Sequence, residues 1–237
     1  MDIIKSTNGH VINGNREISV IDYHHGKFKN WDKYVQWSSM KYGYTSLSKK
    51  NINFIEGLGI YKIITLENKK ICLAHGTPYN VRESALKDSY EIFDRLIKDF
   101  DCDIYLSGHE HQEYLTIYKN RYFINPGSIG IPTYSLAHTY GILDIKNNAI
   151  NYELINVDYD YELLQNYYRG SEYHKVAYVW CELILRTLKS KNDHTSDFLD
   201  FVKIRATEKN IDISNNIPNT LYVESFNEYI KNEKNQN

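Results

Sequence analysis

Three runs in this 237-residue chain hold the side chains best suited to bind a metal ion or a phosphate, and each begins with an apolar stretch. Ile71-Cys72-Leu73-Ala74 ends in His75-Gly76, and Ile104-Tyr105-Leu106-Ser107 ends in Gly108-His109-Glu110-His111. Val11-Ile12-Asn13 runs into Gly14-Asn15-Arg16-Glu17. Imidazoles two residues apart in an irregular loop can face neighbouring metal positions, and a flanking glycine lets the backbone turn sharply. In open α/β sheets, ligands gather at the carboxyl ends of strands, where all three runs are expected to fall. Taken singly, each has an ordinary explanation. A histidine after a strand is commonly a loop or core residue, and Gly-Asn-x-Glu reads as a helix start with Asn15 as cap and Glu17 in the first turn. Their occurrence together, in this order, is what points to one site.

The elements that must position these groups follow from the hydrophobic period. Helical turns are expected over Asp2–Thr7, stopped at Asn8-Gly9, then a short strand at His10–Asn13 and a helix from Arg16 to Tyr23. Amphipathic spacing predicts helices over Trp31–Tyr42 and Leu47–Gly57. A hairpin follows, Tyr61–Glu67 with Lys69–Ala74 turning at Asn68. Ser84–Phe100 returns to helical spacing, with Ala85, Tyr90, Ile92, Phe93, Leu96 and Ile97 as its buried stripe. Next come a buried strand at Asp103–Ser107 and a hairpin, Tyr114–Tyr118 with Arg121–Asn125 around Lys119-Asn120. A further hairpin pairs Tyr140–Ile145 with Ala149–Ile155 at Asn147-Asn148.

From Asp158 the pattern is only helical, with Val176, Trp180, Leu183, Ile184 and Leu188 as one stripe and Phe198, Phe201 and Val202 starting another. The chain is thus expected to comprise a mixed α/β domain over 1–157 and a helical extension over 158–237, fraying after Asn232.

Composition narrows the class. The chain is 42% hydrophobic and 24% charged, ordinary for a soluble globular protein. A formal net charge of −2 argues against nucleic acid and anionic membranes as partners. Cys72, Cys102 and Cys181 are odd in number and share no metal-knuckle spacing, which suits a reducing compartment. With no secretory leader and no long apolar span, the expected location is the cytoplasm. The 22 tyrosines, including the cluster over Tyr159–Tyr173, lack an accompanying basic stripe and read as packing rather than base stacking. His10, His24, His25, His138, His174 and His194 match no ligand spacing, although His138 lies close behind the run Asn125-Pro126-Gly127-Ser128.

His75-Gly76-Thr77-Pro78, Gly108-His109-Glu110-His111 and Asn125-Pro126-Gly127-Ser128 together resemble the second half of the calcineurin-like metallophosphoesterases, and in particular their small bacterial phosphodiesterase branch. The similarity covers about Val11 to Val157. It implies a metallophosphoesterase-like α/β fold, a β-sandwich flanked by helices, holding two divalent metals such as Mn, Fe or Zn. Carried over by position, Asn15, His75 and His109 would bind one ion and His111 would belong to the other. Asn125–Ser128 would shape the neighbouring turn rather than ligate metal. Imidazole and amide donors suit such ions, and paired metals stabilise an in-line displacement at phosphorus.

Two departures qualify the resemblance. The family's Asp-x-His and Gly-Asp-x-x-Asp motifs, which supply the first metal and the bridging carboxylate, do not precede Asn15, so the domain reads as N-terminally incomplete. Asp22-Tyr23-His24 mimics the first motif but lies after Asn15. Absent strands would leave an unpaired apolar edge, hence an expectation of self-association. Arg16 stands where the family usually has an acid histidine; a guanidinium does not release its proton near neutral pH, but it can clamp a phosphate oxygen. The expected function is metal-dependent hydrolysis of a small phosphoester, a phosphodiester slightly favoured, impaired by the missing ligands. The alternative is a non-catalytic interaction scaffold on the same fold, for which the family's retromer subunit is a precedent.

Overall fold

The computed structural model describes residues 4, 6–7, 9–132, 138–190 and 192–234. The helical turns expected at Asp2–Thr7 lie largely outside this set. The chain divides into two compact units, Met1–Ile21 with Ser48–Asp158, and Asp22–Leu47 with Tyr159–Asn237. The helical unit therefore takes in Asp22–Leu47 besides the C-terminal residues, which apolar spacing alone does not reveal.

The α/β unit begins with helix α1 (Asn15–His24), whose last residues pass into the other unit's segment. His10–Asn13 is not a strand. Asn13 is fully buried, and its N–H donates to the Gly59 carbonyl at 2.9 Å. Its side-chain amide donates to the carbonyls of Ile55 and Leu58 at 2.8 and 2.9 Å. The donors of Asn13 are thus satisfied by the end of the helix Lys49–Glu56 and the loop behind it, not by a sheet ladder. The segment 22–47 adds two 3₁₀ turns, Trp31–Lys33 and Val35–Trp37, before helix α2 (Ser38–Thr45). The continuous helix expected over Trp31–Tyr42 is broken at Tyr34, which is extended with φ −107° and ψ 130°. Helix α3 spans Lys49–Glu56, capped by the Ser48 hydroxyl, which accepts from the Asn51 N–H.

Strands β1 (Tyr61–Leu66) and β2 (Lys69–Ala74) form the expected hairpin, with Glu67 and Asn68 both at positive φ as a two-residue turn requires. Helix α4 starts at Tyr90 and ends at Phe100, six residues later than the spacing suggested. Residues 84–89 turn instead, because the Ser89 hydroxyl accepts from the Leu86 N–H and so competes with the helix. Strand β3 (Ile104–Leu106) is followed by the hairpin β4 (Glu113–Tyr118) and β5 (Arg121–Pro126). The hairpin β6 (His138–Lys146) and β7 (Ala149–Val157) completes the unit.

The five-stranded sheet has the order β1-β2-β3-β5-β4, with β2, β3 and β5 parallel and the outer strands antiparallel. Its middle strands alternate. Ile71, Ile104 and Ile124 face the hairpin β6–β7, where they pack on Ile145 with Leu143, Ile150 and Tyr152 beside it. Cys72, Tyr105 and Phe123 face α4, where Phe93 stacks on Phe123 at 3.9 Å and Tyr105 on Phe123 at 4.7 Å. The result is the expected two-layer β arrangement flanked by helix. All three cysteines are buried and free, and burial pushes the Cys72 thiol up to about 12.

Two connections position the chemistry. The loop after β2 folds back hard: Thr77 N–H donates to the Asn80 carbonyl at 3.0 Å, Asn80 N–H to Thr77 at 3.2 Å, and Glu83 N–H to Asn80 at 3.1 Å. The Thr77 hydroxyl and the Arg95 guanidinium both donate to the Glu83 carboxylate. A Cβ on Gly76 would stand 2.8 Å from the carbonyl oxygens of Asn80 and Glu83 and 2.9 Å from that of Val81, so only glycine fits. The turn after β5 is held by Asn125, whose side-chain oxygen accepts from the Gly127 N–H at 2.9 Å, with Gly127 at φ +79°. Thr139 donates its hydroxyl to the Pro126 carbonyl at 2.6 Å.

In the helical unit, α5 (Tyr161–Arg169), α6 (Glu172–Val176), α7 (Tyr178–Ser190), α8 (His194–Glu208) and α9 (Asn219–Lys234) enclose a core of Val179, Leu183, Phe198, Val202, Leu221, Tyr222 and Phe226. Val176 of the expected stripe is exposed, whereas α7 also buries Cys181 and Leu185 against Tyr161, Leu164 and Tyr168. The segment 22–47 is tied in through Asn216, which accepts from Gln36 at 3.0 Å and Trp37 at 2.8 Å. Glu182 is buried and receives both Arg169 nitrogens at 3.0 Å and the His174 ring at 3.2 Å. The helix α9 continues to Lys234, and residues beyond lie outside the described set. No helix among the described residues is long and apolar enough to cross a membrane.

Gly76→Ala is expected to destabilise the α/β unit by about 1–3 kcal/mol, because backbone carbonyls rather than flexible side chains must give way; urea unfolding measures this. Burial works against the Glu182 charge, but the bonds and charges of Arg169 and His174 outweigh it and hold the carboxyl below its ordinary value of 4.5. That stabilisation is present above about pH 4.5 and is lost as pH falls through the lowered value. Glu182→Gln is therefore expected to cost about 1–2 kcal/mol at neutral pH, discounted because Arg169 stays half in water, and to flatten the acid limb of the stability curve.

Candidate metal centre

His75 and His109 leave the ends of the neighbouring parallel strands β2 and β3, and the ladder continues past both ends. The His75 carbonyl accepts the N–H groups of Gly108 and His109, each at 2.8 Å. This double acceptance fuses the two loops. It sets the imidazoles of His75 and His109 with ring centroids 5.3 Å apart at 62°.

His111 closes a tight turn, its N–H donating to the Gly108 carbonyl at 3.0 Å with its own backbone at φ +55°. That left-handed conformation is uncommon for a residue with a Cβ and marks a turn held by its surroundings. His111 Nδ1 lies 2.7 Å from the Ile131 carbonyl. A carbonyl only accepts, so Nδ1 carries the proton and a neutral ring presents its lone pair at Nε2, the arrangement that suits a metal ligand. The same loop receives His138, whose Nδ1 lies 2.8 Å from the Ile129 carbonyl.

Helix α1 brings its start to the same place. Gly14 acts as the cap: its carbonyl accepts the Ile18 N–H at 3.1 Å, and its own N–H donates to the Glu17 carboxylate at 3.0 Å. Asn15 is therefore the first helical residue and not the cap that the sequence suggested. Among the described residues its side-chain amide makes no hydrogen bond, which leaves the amide oxygen available to a ligand. A Cβ on Gly14 would stand 3.2 Å from His75 Nδ1, so the missing side chain is what admits the imidazole against the helix start. Arg16 is exposed at the second helical position. The guanidinium whose charge reaches the histidines is that of Arg82, a residue that sequence reasoning passed over. Its only signal in sequence was its place in the polar loop behind a histidine-bearing strand end.

The imidazoles of His75 and His109 favour their neutral forms. Burial lowers His75, the neighbouring His109 and His111 lower it further, Glu17 opposes, and Arg82 adds to the lowering. Burial also lowers His109, with Glu110 opposing and His111 and Arg82 assisting. Neutral imidazoles are the ligand-competent form. Carboxylates contribute little: Glu17 caps the helix, and Glu110 lies 4.0 Å from His109 Nε2. Among the described residues no three His, Cys, Asp or Glu side chains converge as a ready ligand set. Imidazole and amide donors of this kind suit a divalent ion, and among the described residues no carboxylate cluster stands beside them to bridge a second.

Residues 2–148 match the family model described as the calcineurin-like phosphoesterase superfamily domain. A probable metallophosphoesterase, YsnB of Bacillus subtilis (strain 168), is 26% identical over 101 residues, or 43% of this chain; the match spans 57% of that relative's length. The crystal structure of the hypothetical protein PH1004 from Pyrococcus horikoshii OT3 is similar in fold, with a TM-score of 0.57 at 20% identity over 74% of this chain and 75% of that one. Zinc-complexed Vps29 from Entamoeba histolytica matches 42% of this chain and 62% of its own at 25% identity, with a TM-score of 0.31. With a match over more than half of its length, the chain belongs to the calcineurin-like phosphoesterase superfamily.

Proposed function

We propose that this chain is a divalent-metal-dependent phosphoesterase whose centre is built on Asn15, His75, His109 and His111, with phosphodiesters favoured over monoesters. The observation that carries this reading is the pairing of His75 and His109 at 5.3 Å beside an uncommitted Asn15 amide, in a chain of a phosphoesterase family that generally uses two divalent metals. A bound divalent ion would polarise phosphoryl oxygens and lower the pKa of an attacking water.

The chain's own residues do the rest. His75 and His109 supply neutral lone pairs, and the shared His75 carbonyl keeps their spacing fixed. His111 is oriented through Nδ1 and the Ile131 carbonyl. The N-terminal end of α1 adds a partial positive charge that favours an anionic group. Because no carboxylate bridge is supplied among the described residues, turnover by this chain is slow compared with a complete two-metal centre. The same observation favours the second reading, a non-catalytic interaction scaffold on this fold. Hydrolysis separates the two.

With Mn²⁺ present, the wild-type chain is expected to hydrolyse bis(p-nitrophenyl) phosphate, and His109→Ala to lose about 10²-fold or more of that rate with unchanged circular dichroism. Absence of any metal-stimulated rate above that of the variant supports the scaffold. Titration calorimetry gives a second check: Mn²⁺ is expected to bind wild type with an affinity at least about tenfold above that of His75→Ala or His109→Ala.

A further inference from the structure

Four arginines of this protein pair with carboxylates. Arg95 pairs with Glu83, Arg121 with Asp101 and Asp103, Arg169 with Glu182, and Arg205 with Glu208 and Glu228. Arg82 has no such partner: among the described residues no carboxylate pairs with it. One nitrogen, Nη2, donates to the Ser19 hydroxyl at 2.7 Å and lies 3.4 Å from the Asn15 carbonyl. Nε and Nη1 make no hydrogen bond to any described residue, and the side chain is exposed. The guanidinium is thus pinned by one corner to Asn15 and Ser19 of α1, and the rest of its fork is unfilled by any described residue.

The placement is built, not incidental. Arg82 N–H donates to the Asn80 side-chain oxygen at 2.9 Å, inside the loop that Thr77, Asn80 and Glu83 cross-tie and that Gly76 alone permits. That loop begins at His75. A backbone so constrained delivers the cation beside His75 and Asn15, and its charge acts on His75 and His109 alike. A fixed fork with unfilled donors matches two non-bridging oxygens of one phosphoryl group.

We propose that Arg82, and not Arg16, is the substrate-binding arginine of this centre, clamping the phosphoryl oxygens of a phosphoester seated between His75, His109 and the start of α1. The inference rests on the phosphoesterase reading for the identity of the ligand. Its test does not require turnover.

Binding of inorganic phosphate to the full chain is measured by equilibrium dialysis for wild type, Arg82→Gln, Arg82→Lys and Arg16→Gln, with Mn²⁺ uptake and circular dichroism followed in parallel. Wild type is expected to bind phosphate, Arg82→Gln to bind at least about tenfold more weakly, and Arg82→Lys to fall between them, since an ammonium keeps the charge without the fork. Arg16→Gln is expected to stay within about twofold of wild type, and Mn²⁺ uptake to be unchanged throughout. Phosphate binding that is absent from wild type, insensitive to Arg82, or lost instead in Arg16→Gln overturns the proposal. Should Arg82→Gln fail to fold, Arg82→Lys decides: full wild-type affinity there refutes the need for a fork. Phosphate binding through Arg82 without metal-stimulated hydrolysis would instead overturn the phosphoesterase reading and leave this inference standing.

Discussion

One backbone oxygen organises the candidate centre. The His75 carbonyl, just past the end of β2, accepts the N–H groups of both Gly108 and His109. In a parallel sheet, each strand end would otherwise expose unpaired donors and acceptors, and a buried unpaired group costs about as much as a lost hydrogen bond. Here that demand is met across the two histidine-bearing loops. Satisfying the sheet and setting the spacing of the imidazoles are therefore the same act. The turn that follows, with His111 at φ +55°, depends on it, since Gly108 is held by the same oxygen.

The rest of the α/β unit holds that sheet rigid. Alternation places isoleucines on one face and the aromatic pair Tyr105 and Phe123 on the other. The hairpin β6–β7 covers the first face and α4 the second, so the three parallel strands are buried on both sides, as parallel strands require. The connection from β5 into β6 then serves chemistry as well. Its turn, shaped by Asn125 and Gly127, places the carbonyls of Ile129 and Ile131 where they fix the proton on His138 and His111. Packing and histidine tautomer are linked through a single loop.

Electrostatically the centre is unusual among polar sites of this molecule. Glu182 in the helical unit is a buried anion surrounded by donors, and its network closes on itself. At the candidate centre the balance is reversed. Neutral imidazoles, an amide, a helix N-terminus and the Arg82 guanidinium meet with two carboxylates, Glu17, which caps the helix, and Glu110, 4.0 Å from His109 Nε2. Such a collection is left electrostatically open toward an anion. It differs in this from a cation-binding cage made of acids.

Much of this architecture is written locally. Glu67-Asn68, Lys119-Asn120 and Asn147-Asn148 turn their hairpins because both residues of each pair adopt positive φ, which depends on neighbouring residues alone. The apolar runs Ile71–Ala74 and Ile104–Leu106 and the histidines at their ends are equally plain in the residue order. Other features depend on groups far away in the chain. His10–Asn13 has the composition of a strand, yet the backbone and side-chain N–H groups of Asn13 are claimed by Gly59, Ile55 and Leu58, more than forty residues on. Residues 22–47 join the helical unit because Gln36 and Trp37 meet Asn216. Arg82 carries no motif, and its meaning arises only when a cross-tied loop sets it against Asn15 and Ser19. Steric preference acts between neighbours, so sequence determined the turns, strands and histidine-bearing ends. Satisfaction of buried polar groups acts between whatever folding brings together, so only the tertiary structure decided which donor, proton and charge reach the site.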